Sequence, residues 1–201
     1  MDRVILIGSG VALSRPLFVC QQLSLGVEVD EFDPHEDFGR FEGIMKKSAS
    51  LPVFVALSPV YLNLGRSIFL KKARLARLKL VNLISPDAVV SKSCQLGENV
   101  LVDQDVIIKS GVTLGDGVYL GRGVELGSDV KIRNYAWIED GARIGNGADF
   151  GSCSILGKGA ILGSISVGAR CELSAAKSYL EDITALEHHL PGNRTSIKFF
   201  T

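Results

Sequence analysis

Counted in sixes from Ile84, the chain carries an apolar residue at every step: Ile84, Val90, Leu96, Val102, Ile108, Leu114, Leu120, Leu126, Ile132, Ile138, Ile144, Phe150, Leu156 and Leu162. With 46% of all residues hydrophobic, such a run has a chance probability on the order of 10⁻⁵. Four residues after each of these stands a small side chain, from Ala88 and Cys94 through Val130 and Ala148 to Ser166, and glycine fills eight of the fourteen positions directly after the large one. One large and one small inward residue per six predicts a left-handed parallel β-helix over residues 81–173, with three hexads to each triangular coil.

Positions 18 apart then stack, which makes the outward columns readable. Two are mixed or polar: Val89, Ile107, Glu125, Arg143 and Ile161 in one, Gln95, Thr113, Lys131 and Asp149 in another. The third, Leu101, Tyr119, Trp137 and Ile155, is apolar throughout and holds the single tryptophan. Such a stripe predicts a subunit interface, with cover by the C-terminal segment of the same chain as the alternative. The phase slips after Leu162, and "AAKSYLEDITALEHHL" reads as a short capping helix, so that residues 174–201 form a cap and tail.

Residues 1–80 follow another pattern. "RVILIGSG" reads as a buried strand ending in glycines, and "SRPLFVCQQLSLG" as a helix with Ser14 able to cap, Pro16 in the first turn and Gly26 as the stop. "VEVDEFDP" and "LPVFVAL" read as two further strands, and "LNLGRSIFLKKARLARLKL" as a basic helix whose Arg66, Lys71, Lys72, Arg74, Arg77 and Lys79 form a solvated face. Alternating β and α elements predict a small Rossmann-like βαβ domain, and the whole chain is α/β followed by β. In that geometry Gly8 and Gly10 let backbone amides approach a phosphate, and Asp33 at the end of the second strand accepts from ribose hydroxyls; a plain tight turn is the other reading of a GxG without its third glycine.

Composition removes whole classes of function. Lys and Arg together number 22, as do Asp and Glu, so no net field draws the chain to nucleic acid or to an anionic membrane. No apolar run reaches membrane-spanning length, and the opening Val4–Ile7 run is too short for a secretion signal, which predicts a cytoplasmic protein. Cys20, Cys94, Cys153 and Cys171 form no CxxC pair and are expected reduced, with Cys94 and Cys171 at small inward sites. None of the three histidines, His35, His188 and His189, falls on the coils between residues 84 and 173. That excludes the three-histidine zinc site of a γ-class carbonic anhydrase, and no metal is expected.

A small βαβ domain running straight into hexapeptide repeats resembles the sugar acyltransferases typified by bacillosamine N-acetyltransferases and sialic acid O-acetyltransferases. The matching stretches are "ILIGSG", "EFDP", the junction "LVNLISPDAVVSKSCQLGENV", the hexads, and "PGN" at 191–193. The resemblance implies a homotrimer in which the N-terminal domain holds a nucleotide-linked sugar and acetyl-CoA lies between two β-helices. It also exposes a departure: Ser128 stands where such proteins carry a catalytic histidine, followed by Asp129, with Gly121 where asparagine is common.

A proton acceptor must then come from elsewhere, or be dispensable for an amine acceptor, whose free-base fraction attacks a thioester once positioned. The substitutes are Asp129, Glu139 and His35. Glu139 and Arg133 occupy positions where glycine predominates, as site residues or as a surface pair; His35 in "DPHEDFG" is a base or a solvated loop residue. For the CoA phosphates the candidates are the backbone at Gly151, Gly157 and Gly159, the side chain of Lys158, and Arg194 with Lys198 in the tail. The expected function is acetyl-CoA-dependent transfer to a nucleotide-linked amino sugar in surface glycan biosynthesis, with a catalytically degenerate binding or scaffold protein as the alternative.

Overall fold

The computed structural model describes residues 2–32, 38–47, 51–59, 62–193 and 195–198; Asp33, His35 and Arg194 lie outside them. The N-terminal domain is a four-stranded parallel sheet in the order β2 (Gly26–Glu31), β1 (Arg3–Gly8), β3 (Pro52–Ala56), β4 (Lys79–Leu80). Alternation along β1 sends its side chains to two cores. Val4 and Leu6 pack with Val19 and Cys20 of α1 (Ser14–Gln22), whereas Ile5 and Ile7 pack with Phe41 and Ile44 of α2 (Phe38–Lys47) and Phe69 and Leu70 of α3 (Leu64–Leu75). The second core centres on Phe32, Phe41 and Phe69, whose ring centroids lie 4.7–5.3 Å apart.

Two local expectations for this domain change. The segment "FGRFEGIMKK" forms α2, although its two glycines hide the inward spacing of Phe41, Ile44 and Met45. The basic helix ends at Leu75, because Arg77 turns into the left-handed region (φ 56°) and Lys79–Leu80 joins the sheet. Its basic run is a solvated face at Lys71, Arg74, Arg77 and Lys79, all exposed, but Arg66 is buried; Lys72 meets Glu42, and Arg74 pairs with Glu98 and Asp116.

From Leu83 the chain winds into a left-handed parallel β-helix with a two-residue strand per hexad and three parallel sheets. Large and small inward residues fill its interior as one continuous core from Val100 to Ile183. The corners explain four of the glycines, Gly97, Gly115, Gly121 and Gly127. Asp116, Asn134, Asp140 and Asn146 each accept a hydrogen bond from an amide 18 residues earlier, those of Glu98, Asp116, Arg122 and Ser128. The residue before each of those amides is glycine, and a Cβ there would stand within 2.6 Å of the capping oxygen, as Gly97 against Asp116 or Gly121 against Asp140.

The capping helix expected over "AAKSYLEDITALEHHL", residues 175–190, is not formed. Ser178–Tyr179 extends one sheet beside Ile161–Leu162, Ile183 bridges Val167, and Glu187–His189 pairs with Glu172–Leu173. Tyr179 and Ile183 point inward and prolong the core, and Ile197–Lys198 closes the end as an antiparallel strand. Hydrophobic continuity with the coil below outweighs the helical propensity of the Ala- and Leu-containing stretch.

Part of the apolar stripe is covered by the N-terminal domain of the same chain. Leu101 is buried with Val4, Leu6, Leu13 and Phe54 of the N-terminal domain, and Tyr119 packs against the same cluster. Ile155 is buried too. The stripe is therefore an internal seam between the two halves of the chain, and only Tyr119 and Trp137 remain half-exposed on it.

Candidate functional site

The seam opens into a cleft where the start of α1 meets a corner of the β-helix. β1 and β3 approach so closely that a Cβ on Gly8 would lie 2.0 Å from the Ala56 carbonyl oxygen, and Gly10 adopts φ 46°. The glycine loop after β1 thus delivers α1 with its second residue, Arg15, facing the coils. Arg15 donates from Nη1 to Asp103 Oδ2 at 2.7 Å and from Nη2 to Asp140 Oδ2 at 3.0 Å. The Asp103 side chain is fully buried and takes a further bond from the Gln104 amide. Burial works against the Arg15 charge, but Asp103 and Asp140 outweigh it and raise the guanidinium pKa.

Beside this pair, Tyr119 and Trp137 stack face to face, with centroids 3.6 Å apart and planes at 2°. The Arg66 guanidinium lies 4.9 Å from the Trp137 ring and donates to Asn63 Oδ1 and the carbonyls of Gly117 and Tyr135. Burial lowers its pKa to about 10, and raises that of the Tyr119 phenol, which stays neutral. Arg15, Tyr119, Trp137, Glu139, Asp140 and Lys158 enclose a cleft of about 260 Å³. Its chemistry is an aromatic floor, carboxylates from Glu139 and Asp140, and cations from Arg15 and Lys158.

The sequence candidates separate in space. Glu139 lines the cleft, its Oε2 accepting from the Lys158 amide at 3.1 Å. Asp129 occupies a different corner, exposed, in the left-handed conformation (φ 59°) that Asp tolerates, with its amide bonded to the Ser110 carbonyl. Ser128 shares that outer corner: its amide is capped by Asn146 and its hydroxyl lies 3.4 Å from that of Ser110. The Gly157 and Gly159 amides are spent on the carbonyls of Leu173 and Asp140, so they offer no phosphate cradle; a Cβ on Gly151 would collide with Gly168 O at 2.1 Å, which explains that glycine by coil packing. Of the CoA candidates among the described residues only Lys158 lines the cleft.

At the glycine loop, the Gly10 amide is satisfied by Glu31 Oε1 at 3.0 Å. Glu31 ends β2 beside Gly8. Arg15, Asp103 and Asp140 escaped sequence reasoning. Asp103 was findable, because like Glu139 it stands where glycine predominates. Among the described residues no cluster of three His, Cys, Asp or Glu side chains would hold a metal ion, and no helix is long and apolar enough to cross a membrane.

Residues 93–128 match the family model of the bacterial transferase hexapeptide, six repeats. No curated protein sequence matches the chain. Among solved structures, a point mutant of perosamine N-acetyltransferase from Caulobacter crescentus, in complex with CoA and GDP-perosamine, is 23% identical with a TM-score of 0.82, and 95% of each chain is covered. The acetyltransferase domain of PglB from Neisseria gonorrhoeae, in complex with acetyl coenzyme A, is 20% identical with a TM-score of 0.81, over 93% of this chain and 95% of that one. At these identities the likeness is one of fold, and it extends over both halves of the chain.

Proposed function

We propose that the protein transfers an acyl group from acetyl-CoA to the amine of a nucleotide-linked sugar. The observation that carries this reading is the meeting of two parts of the chain in one cleft: Arg15 at the start of α1 on one wall, and Tyr119, Trp137, Glu139, Asp140 and Lys158 of the β-helix on the other. The solved structures with the same two-part fold bind CoA with GDP-perosamine, or acetyl-CoA.

In this reading the sugar packs against the edge of the Tyr119–Trp137 stack, and Glu139 faces its amino group. Glu139 takes the ammonium proton, the free nitrogen attacks the thioester carbonyl to form the C–N bond, and collapse of the tetrahedral species breaks the C–S bond. The departing thiolate receives the second proton released from nitrogen. An amine acceptor makes a histidine dispensable in a way that an alcohol would not, because it needs no deprotonation below neutral amine. Lys158 is placed for a donor phosphate. The wider setting is a cytoplasmic homotrimer serving polysaccharide biosynthesis; the exposed side chains of Val89, Ile107 and Ile161, which flank the Glu125–Arg143 pair, support the outer face they share as the surface between copies.

Calorimetric titration with acetyl-CoA, and separately with uridine, thymidine and guanosine diphosphates, tests this directly. Donor binding in the micromolar range, with release of free CoA thiol on addition of a nucleotide amino sugar, is the expected result. Nucleotide binding without donor binding would replace the enzyme by a sugar-nucleotide binding protein.

A further inference from the structure

A second cleft, of about 610 Å³, lies between α3 and the corner that carries Asn99, Gly117, Tyr135, Cys153, Arg170 and Leu186 on successive coils. That corner is built unlike the other two. A β-helix corner needs a left-handed residue, and at equivalent positions the other corners supply Gly111, Asp129 and Gly147, or Asp105, Gly123, Gly141 and Gly159. Here Tyr135, Cys153, Arg170 and Leu186 hold φ between 57° and 64°. Bulky side chains in that region are costly and persist where the side chain itself is needed. All four line the cleft.

Its opposite wall is apolar, with Leu64 and Ile68 of α3 both exposed. Lys71 and Arg170 supply the only charges in the lining, which contains no carboxylate. Neither cation forms an ion pair with a described residue, in contrast to Lys72 and Arg74 on the same helix. Both act, together with Arg66, on the half-buried thiol of Cys153, which burial nevertheless pushes up. We propose that this cleft binds a small amphiphile with one anionic head, a carboxylate or a phosphate, held between Lys71 and Arg170 with its apolar body on Leu64, Ile68, Tyr135 and Leu186. Unpaired cations beside exposed aliphatic surface are complementary to that class and to neither a neutral sugar nor a cation. The inference is independent of acyl transfer in the seam cleft.

The test uses the full chain at neutral pH and low salt, with 8-anilinonaphthalene-1-sulfonate as fluorescent probe. One saturable site per chain is expected, displaced by octyl phosphate or by octanoate; whichever competes more tightly identifies the head group. Lys71→Gln and Arg170→Gly should each weaken the probe about tenfold. Arg170→Gly should at the same time raise the unfolding midpoint, since glycine relieves the corner, and a purely structural arginine would not separate the two effects. On the unmodified protein, bound octanoate or octyl phosphate should slow alkylation of Cys153, read by peptide mass spectrometry, and leave Cys94 unchanged. Probe binding indifferent to both substitutions, or Cys153 alkylation indifferent to both competitors, would overturn the assignment.

Discussion

Asn99, on the first complete coil, completes the edge of the N-terminal sheet at Val55: its Oδ1 accepts from the Val55 amide at 2.7 Å and its Nδ2 donates to the Val55 carbonyl at 3.0 Å. β4 is only two residues long and leaves that edge unpaired, so one side chain does what a further strand residue would do. Replacing Asn99 by Ala strands two buried backbone groups and puts Cβ-bearing alanine at φ 58°. A loss of about 2–4 kcal/mol is expected in urea unfolding, and it should separate the transition of the N-terminal domain from that of the β-helix.

The Arg15 clamp is the second joint. Arg15→Met leaves the buried Asp103 carboxylate with the Gln104 amide alone. Removing one partner of a buried pair costs more than the pair contributes, so about 2–4 kcal/mol should be lost. Adding Asp103→Asn to that variant should recover a large part of it, because the uncompensated charge is gone. A double-mutant cycle in urea measures both.

Much of this was legible in the sequence, for a physical reason. A solenoid repeats one inward geometry, so Val130 or Leu126 answers to the same constraint as its neighbours and the period shows. The glycine column was legible too, but its cause was not: at Gly97, Gly115, Gly121 and Gly127 the next coil carries a capping Asp or Asn, and at Gly145, Gly151 and Gly157 the backbone of the next coil leaves no room for a Cβ. Where the next coil offers Arg122, Ser152 or Lys158 instead, the position is free to be Asp103, Arg133 or Glu139. The domain seam stayed hidden because nothing in a stripe of Leu101, Tyr119, Trp137 and Ile155 says whether its cover comes from another chain or from 80 residues upstream. Arg66 was misplaced for a related reason, since a basic helix run looks the same whether one member turns inward to a carbonyl pair or not.

The far end is closed by a charged network rather than a helix, and this gives a pH signature. Burial alone would push the Glu187 carboxyl up, but hydrogen bonds from Ser196, Thr184 and His189 and the charge of Lys198 outweigh it and hold the group below its ordinary value. A carboxylate depressed in the folded chain stabilises it above the unfolded pKa, and the contribution is lost as pH falls through the folded pKa. Stability should therefore decline from about pH 4.5 downward, with the closing strand at Ile197–Lys198 releasing first. Glu187→Gln should lose about 1 kcal/mol at neutral pH and show a flatter acid limb in thermal melts.

Trp137 is the single tryptophan, wedged between Tyr119 and Arg66, so its fluorescence reports on the seam cleft without labels. Nucleotide amino sugar should change its intensity saturably. Trp137→Ala should raise the acceptor KM about five- to tenfold with a smaller change in kcat, as expected for a surface that binds ground state and transition state alike.

The two carboxylates proposed as proton acceptors are separable because the fold puts them on different corners. Glu139 lines the cleft, and Glu139→Gln keeps its size and its contact with the Lys158 amide while removing the base. Transfer should fall by about 10²-fold or more. Asp129 sits on the outer corner at φ 59°, where asparagine is equally at home. Asp129→Asn should leave both stability and transfer near those of the unaltered protein, whereas Asp129→Ala should lose stability alone. Steady-state rates of CoA release across pH 5–9 distinguish the cases. The reverse result, with Asp129→Asn inactive and Glu139→Gln active, would move the chemistry to the Ser128 corner, which reaches an N-terminal domain only if a second copy supplies it.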